Sequence, residues 1–147
     1  MNWLAFFLDK TEDFKGRKLK DIWSFDDKKI ESTHDFIQIL FPLNKKSGSS
    51  FHGFYLDDES KVLELQSNLE AKNNIIKSAA WFYRFLERNQ HWNRAYDHNH
   101  LRITRVIECL RLLVSDDEAN KFRQDVLALI ADNPKINQTS LNFWNNA

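Results

Sequence analysis

Three glycines and two prolines in 147 residues leave this chain too few turn-formers for a sandwich or a barrel. Nothing in it alternates apolar and polar with period two for long enough to argue a sheet. Apolar residues recur instead at i, i+3 and i+4. The sequence therefore predicts an all-α protein, a single bundle of about five to seven helices. Aromatics make up 14% of the residues, with 12 Phe and 5 Trp, so large side chains are available to fill a core. No repeat or linker divides the chain, and a boundary in the loose stretch at 44–53 (NKKSGSSFHG) would strand about 43 residues with too little core. One domain spanning 1–147 is expected.

Helix punctuation places the segments. A helix is predicted from near Asp26 or Asp27, carrying Ile30, Ile37 and Phe41 inward until Pro42 stops it. Asp57 or Asp58 caps a second helix with Val62, Leu63 and Leu65. A longer one follows, with Leu69, Ile75, Ile76, Ala79, Ala80, Phe82, Tyr83 and Leu86 on a broad apolar face. Residues 98–114 form the next, with Ile103, Val106, Ile107, Leu110 and Leu113 inward. Ser115-x-x-Glu118 is a capping box opening a helix with Phe122, Val126, Leu127 and Ile130. Residues 139–144 make a last short one.

Charge is balanced, 21 basic against 21 acidic residues, which argues against a general nucleic-acid binder. A local patch stays open, because residues 81–112 hold Arg84, Arg88, Arg94, Arg102, Arg105 and Arg111 against Glu87, Asp97 and Glu108. Cys109, the single cysteine, sits in an apolar run and reads as a small core residue. The apolar run at 3–8 is too short for a signal peptide or a membrane span. A cytoplasmic protein is expected.

Two stretches place polar residues where a plain bundle helix carries Leu or Ala. In residues 30–43 (IESTHDFIQILFPL), Glu31, His34 and Gln38 lie at i, i+3 and i+7, one stripe of a continuous helix. In residues 98–110 (HNHLRITRVIECL), His98, Arg102 and Arg105 lie at i, i+4 and i+7, with Asn99 beside them and the stripe displaced from the Ile103–Val106–Leu110 face. Such groups form either a satisfied polar network pinning helices in register or a ligand site. In a site, Arg102 and Arg105 would hold an anion or carboxylate and His34 or Gln38 would orient it. Glu31, His34, Gln38, His98, Asn99, Arg102 and Arg105 are the candidate ligand-binding residues.

No metal or other cofactor is expected. Glu31-x-x-His34 occurs once where a di-iron bundle needs two copies, and His98 and His100, two apart on a helix, point about 200° apart. His52 and His91 have no ligand-spaced partner and read as solvent-facing. No phosphate loop, G-x-G-x-x-G, G-x-S-x-G or H-E-x-x-H is present, and a buried Cys109 is a poor nucleophile. A general base at His34 or His98 is the enzymatic alternative, but the balance favours a non-enzymatic protein.

These same stretches carry a family resemblance. Residues 30–43 resemble the pattern L-E-x-x-H-x-Y-I-Q-W-L-F-P-L of the opioid growth factor receptor conserved region, and residues 98–110 resemble its H-N-x-L-R-I-T-R-I-L-x-S-L segment. Residues 80–85 fall at its aromatic F-Y pair and residues 141–144 at its terminal S-L-x-x-W element, so the likeness runs from about Asp21 onward. Ile39 stands where the family has Trp, and Arg84 where Gly commonly follows F-Y. The chain is read as a lone-domain version without the long hydrophilic tail of animal members. The resemblance implies binding of an enkephalin-type peptide and a role in restraining cell growth, without a seven-helix membrane receptor. The expected function is thus a helical binding domain for a peptide, small anionic ligand or protein partner. The alternative is a structural polar network at the motifs, with function elsewhere, such as nucleic-acid contact through 81–111.

Overall fold

The computed structural model describes residues 1–47 and 53–147, so His52 and the middle of the 44–53 stretch lie outside the described residues. Among the described residues every regular element is helical. Nine α-helices occur: α1 (Trp3–Phe7), α2 (Leu19–Trp23), α3 (Asp27–Ser32), α4 (Ile37–Leu40), α5 (Glu59–Gln66), α6 (Leu69–Arg88), α7 (Asn99–Leu113), α8 (Asp116–Leu129) and α9 (Gln138–Asn146). A single 3-10 turn, Gln90–Trp92, stands before α7. The five long helices follow the predicted segments, and the four short ones crowd into the first forty residues. None is long and apolar enough to cross a membrane.

The helix starts follow the capping chemistry written in the sequence. Asp26 Oδ1 accepts the Lys29 amide at 2.8 Å, Asp58 Oδ1 the Ser60 amide at 2.9 Å and Ser115 Oγ the Glu118 amide at 3.1 Å. Asn137 Oδ1 does the same for Ser140 at 2.8 Å. The division of the chain into two units, Met1–Ser78 and Ala79–Ala147, falls inside α6.

In the first unit, the apolar run at the start of the chain becomes α1, whose Trp3, Phe6 and Phe7 are buried. The Asn74 side chain donates to the Phe7 carbonyl at 2.6 Å, and the Trp23 indole N–H to Ser78 Oγ at 2.9 Å. Leu19, Ile22, Ile30, Phe36, Ile39, Leu40, Phe41 and Leu65 are essentially inaccessible. Leu63 and Leu69 depart from expectation, since both are exposed. Leu65 is buried two positions after Leu63 and Ala71 two positions after Leu69, and two positions on a helix is about 200°, so each leucine is turned outward.

The predicted continuous helix from Asp27 to Phe41 is two helices, and an ion-pair network explains the break. The backbone leaves helical geometry at Thr33, which is extended at ψ 125°. Asp35, just beyond, takes Arg17 Nη1 on its carboxylate at 2.8 Å and Lys15 Nζ at 3.1 Å, while Arg17 Nη2 reaches the Asp35 carbonyl at 3.3 Å. Arg17 is itself held by Asp13, whose Oδ2 accepts from Nε at 2.8 Å and from Nη2 at 2.8 Å. Asp13 Oδ1 accepts the Lys15 and Arg17 amides at 2.9 Å each, which requires the tight turn that Gly16 makes at φ +74°. The Asp35 carbonyl is turned toward a guanidinium, and the β-branched Thr33, which favours extended backbone, stands where the helix ends.

Burial pushes the Asp35 carboxyl up, but Arg17 and Lys15 outweigh it and hold the group below its usual value. A carboxyl depressed in the folded state stabilises it above the unfolded pKa of about 3.9, and the contribution disappears as pH falls through the folded value. Asp35→Asn is therefore expected to cost about 2 kcal/mol at pH 7, lowering Tm by roughly 5–10 °C. Thermal unfolding at pH 7 and pH 3 checks this, and the gap to wild type should narrow at the lower pH.

Candidate functional site

The first motif lies in the unit Met1–Ser78. With the helix broken at Thr33, Glu31, His34 and Gln38 do not form one stripe: Glu31 ends α3, His34 sits in the connection and Gln38 lies in α4. Their environments differ accordingly. Glu31 is half-buried, His34 is exposed, and Gln38 is 7% exposed among Ile37, Ile39 and Leu40. Gln38 belongs to the packed interior of its unit, and His34 to its surface. Pro42 does follow directly on α4 and its C-cap Phe41, as the sequence indicates.

The second motif lies in the unit Ala79–Ala147, where α7 packs against α8 and α9. Asn99, His100, Arg102, Ile103, Val106, Ile107, Cys109, Leu110 and Leu113 are all buried. This face is wider than the expected apolar stripe and takes in two of the polar candidates. Asn99 is 0% and Arg102 6% exposed, and Arg102 Nη1 donates to Asn99 Oδ1 at 3.3 Å. The expectation that their stripe is displaced from the core face is thus corrected. A helix enclosed by neighbours on two sides buries more than the 100° that periodicity alone assigns.

Arg105 is half-buried, and burial, the largest influence, works against its charge while Cys109 and Glu108 favour it. Cys109 is free and fully buried, and burial pushes its thiol far up, leaving it inert as a nucleophile.

Asp97 organises the start of α7, a role not assigned to it from the sequence. Its side chain is inaccessible to solvent. One carboxylate oxygen accepts the Asn99 amide at 2.9 Å, and the other accepts Arg94 Nε at 3.0 Å and Nη2 at 2.8 Å. Burial raises its pKa, but the Asn99 amide, Arg94 and His98 together outweigh that and leave it below the ordinary value. The signal was present as an acidic residue just ahead of a helix start.

His98 and His100 diverge as their spacing requires. The His98 side chain is 41% exposed, its Nδ1 at 4.0 Å from Asp97. His100 is buried, with Nε2 at 2.7 Å from the Trp92 carbonyl. A carbonyl only accepts, so Nε2 carries the proton and Nδ1 faces the Ser140 hydroxyl at 3.5 Å. The His100 ring meets Trp144 edge-on, and Trp144 Nε1 donates to the His100 carbonyl at 3.0 Å. His100 is therefore a packing residue. His91 is exposed, as its sequence setting suggests.

Two large apolar side chains stand exposed at and just ahead of the motif. Leu101 is 69% exposed one position from Arg102, and Tyr96 is 79% exposed just ahead of Asp97.

Comparison with known proteins now has geometry to attach to. A family model described as the opioid growth factor receptor (OGFr) conserved region matches residues 4–86, more than half of the chain. The chain belongs to this family. Proteins named opioid growth factor receptor-like protein 1 in Mus musculus and Rattus norvegicus are each 26% identical over 146 residues, covering 83% of this chain. The alignments take in 30% of each relative, so the chain spans less than a third of their length. No solved structure matches.

The OGFr match begins earlier than the expected Asp21 and takes in all of α1 but Trp3, together with the Asp13–Arg17 turn. It ends at 86, ahead of the second motif, so His98, Asn99, Arg102 and Arg105 lie beyond it.

Arg102→Ala removes the donor to Asn99 and the packing of a buried side chain. It is expected to lower Tm by roughly 5–10 °C. Leu101→Ala, its exposed neighbour, is expected to change stability by less than about 0.5 kcal/mol. Parallel thermal melts of the two variants distinguish the helix-locking side chain from the outward-facing one.

Proposed function

We propose that this chain is a non-enzymatic helical binding domain whose partner is a peptide or protein received at the start of α7. The observation that carries the reading is the pairing there of a rigid base with large exposed side chains. Asn99, Arg102 and Asp97 are buried and bonded, while Tyr96 and Leu101 stand out at 79% and 69% exposure with His98 between them. Aromatic and aliphatic side chains held on a fixed backbone lose little entropy on binding and supply most of the contact energy. Arg105, with its guanidinium on the same helix, is the candidate for a carboxylate on that partner.

In the unit Met1–Ser78, the exposed His34 and half-buried Glu31 are the candidates for contact, and Gln38 is a support inside α4. Family membership makes an enkephalin-type peptide the first ligand to try. Isothermal titration is expected to give binding by wild type and an affinity at least about tenfold weaker for a Tyr96→Ala, Leu101→Ala variant of unchanged Tm. Equal heats from two equally folded proteins would remove this surface as the site.

Nucleic-acid contact through residues 81–111 has less support. Arg94 is committed to Asp97, Arg102 to Asn99, and Arg111 to Asp116 and Asn120. At least half of the six guanidinium groups are thus engaged within the protein, and no gel shift is expected even at low salt.

We further infer that the chain acts as one domain in a cytoplasmic setting. Continuity of the 20-residue α6 through the Ser78/Ala79 division supports the first, and the buried free thiol of Cys109 is compatible with the second. Urea unfolding is expected to give one transition, coincident by far-ultraviolet circular dichroism and tryptophan fluorescence. Two separated transitions would overturn the single domain.

A further inference from the structure

The last helix, α9, is attached to its unit in an unusual way. Of its nine residues only Trp144 is buried, and none carries a charge. A nine-residue helix is marginal by itself in water, so its order depends on docking. Its docking contacts run along the helix, with Ser140 Oγ 3.5 Å from His100 Nδ1 and Arg123 Nη1 donating to the Asn145 carbonyl at 3.4 Å among them, and three levels fix it most closely. At its start, Asn137 donates through both its amide and its side chain to the Ala95 carbonyl. Two turns on, Trp144 Nε1 donates to the His100 carbonyl at 3.0 Å, its ring edge-on to His100 and 6.5 Å from Trp92. At its end, Arg111 Nε donates to the Ala147 carbonyl at 2.7 Å while its other nitrogens are fixed by Asp116 and Asn120. Ahead of α9, residues 131–135 are all exposed, held by backbone bonds from Ala131 to Ala128 and from Asn133 to Ile130 and by Asn93 side-chain bonds to Asn133 and Lys135.

We propose that α9 is a strap that opens as a unit, and that the groove it leaves accepts the α9 of a second copy of this chain. Few buried contacts and an exposed connection mark the least stable part of a fold, so α9 opens before α7 or α8. The groove is specific. It presents an acceptor for a capping Asn, an acceptor and two rings for an indole about 10 Å further on, and a guanidinium for a main-chain carbonyl. A second copy's α9 satisfies every one of these groups, and the exposed 131–135 segment is the hinge such an exchange needs.

Two measurements on the full chain decide this. By hydrogen exchange, the amides of α9 are expected to exchange at least about 100-fold faster than those of Ile103, Val106 and Leu110. Comparable protection would show that the strap does not open and would overturn the proposal. A fluorescein-labelled peptide of residues 135–147 stands in for the second copy's helix. It is expected to bind the full-length Trp144→Ala variant at least about tenfold more tightly than wild type, where the resident α9 occupies the groove. No binding to the folded variant, or equal affinity for both proteins, would overturn the exchange. Should Trp144→Ala not fold, Asn137→Ala replaces it, because that change loosens the start of α9 and leaves the aromatic packing intact.

Discussion

The guanidinium of Arg17 joins two carboxylates from separate stretches of the chain, and the path of the first motif follows from it. Asp13 on one side and Asp35 on the other are both within 2.8 Å of its nitrogens, and both carboxylates are largely withdrawn from water. Charges so placed are costly unless fully bonded. The turn at Gly16, which turns the Lys15 and Arg17 amides onto Asp13, is therefore as much a part of the network as the side chains. Once the Asp35 carbonyl is also engaged, a helix from Asp27 to Phe41 would have to leave either a buried charge or a backbone group unsatisfied. The chain breaks at Thr33 instead, and Glu31, His34 and Gln38 part company.

A similar economy governs the start of α7, with a different chemistry. Asp97 closes the helix N-terminus from outside, where a carboxylate also meets the positive end of the helix dipole. Arg94 neutralises it from the exposed side, and the helix can then bury Asn99 and Arg102 in its first turn. The consequence is an arrangement in which polar residues form the base and apolar residues, Tyr96 and Leu101, form the surface. That is the reverse of the usual distribution, and it sets buried polar groups beside exposed apolar ones within the seven residues 96–102.

The long helices were legible in the sequence because their signals are local. Ser115 and Asp58 cap from within three residues, and Ile103, Val106, Ile107, Leu110 and Leu113 repeat at the helical period. The broken first motif was not legible, because Arg17 and Asp35 are 18 residues apart and no periodicity reports that pairing. The burial of Asn99 and Arg102 was missed for a related reason. A one-dimensional stripe measures one contact face, whereas α7 is flanked by both α8 and α9. The packing role of His100 was not legible because its partners, the Trp92 carbonyl and Ser140, lie eight and forty residues away.

This contrast also bears on how the candidate residues are to be weighed. Polarity within an apolar pattern marked seven positions, but it does not distinguish a residue that binds from one that is bound. Burial makes that distinction. Asn99, Arg102 and Gln38 are buried, and a side chain already enclosed reaches a ligand only by giving up packing. Tyr96 and Leu101, and with them His34 and His98, reach solvent. On the binding function proposed above, contact is therefore better sought in side chains that the polar network supports than in the network itself. Two of the four, Tyr96 and Leu101, are residues that a search for unusual polarity passes over.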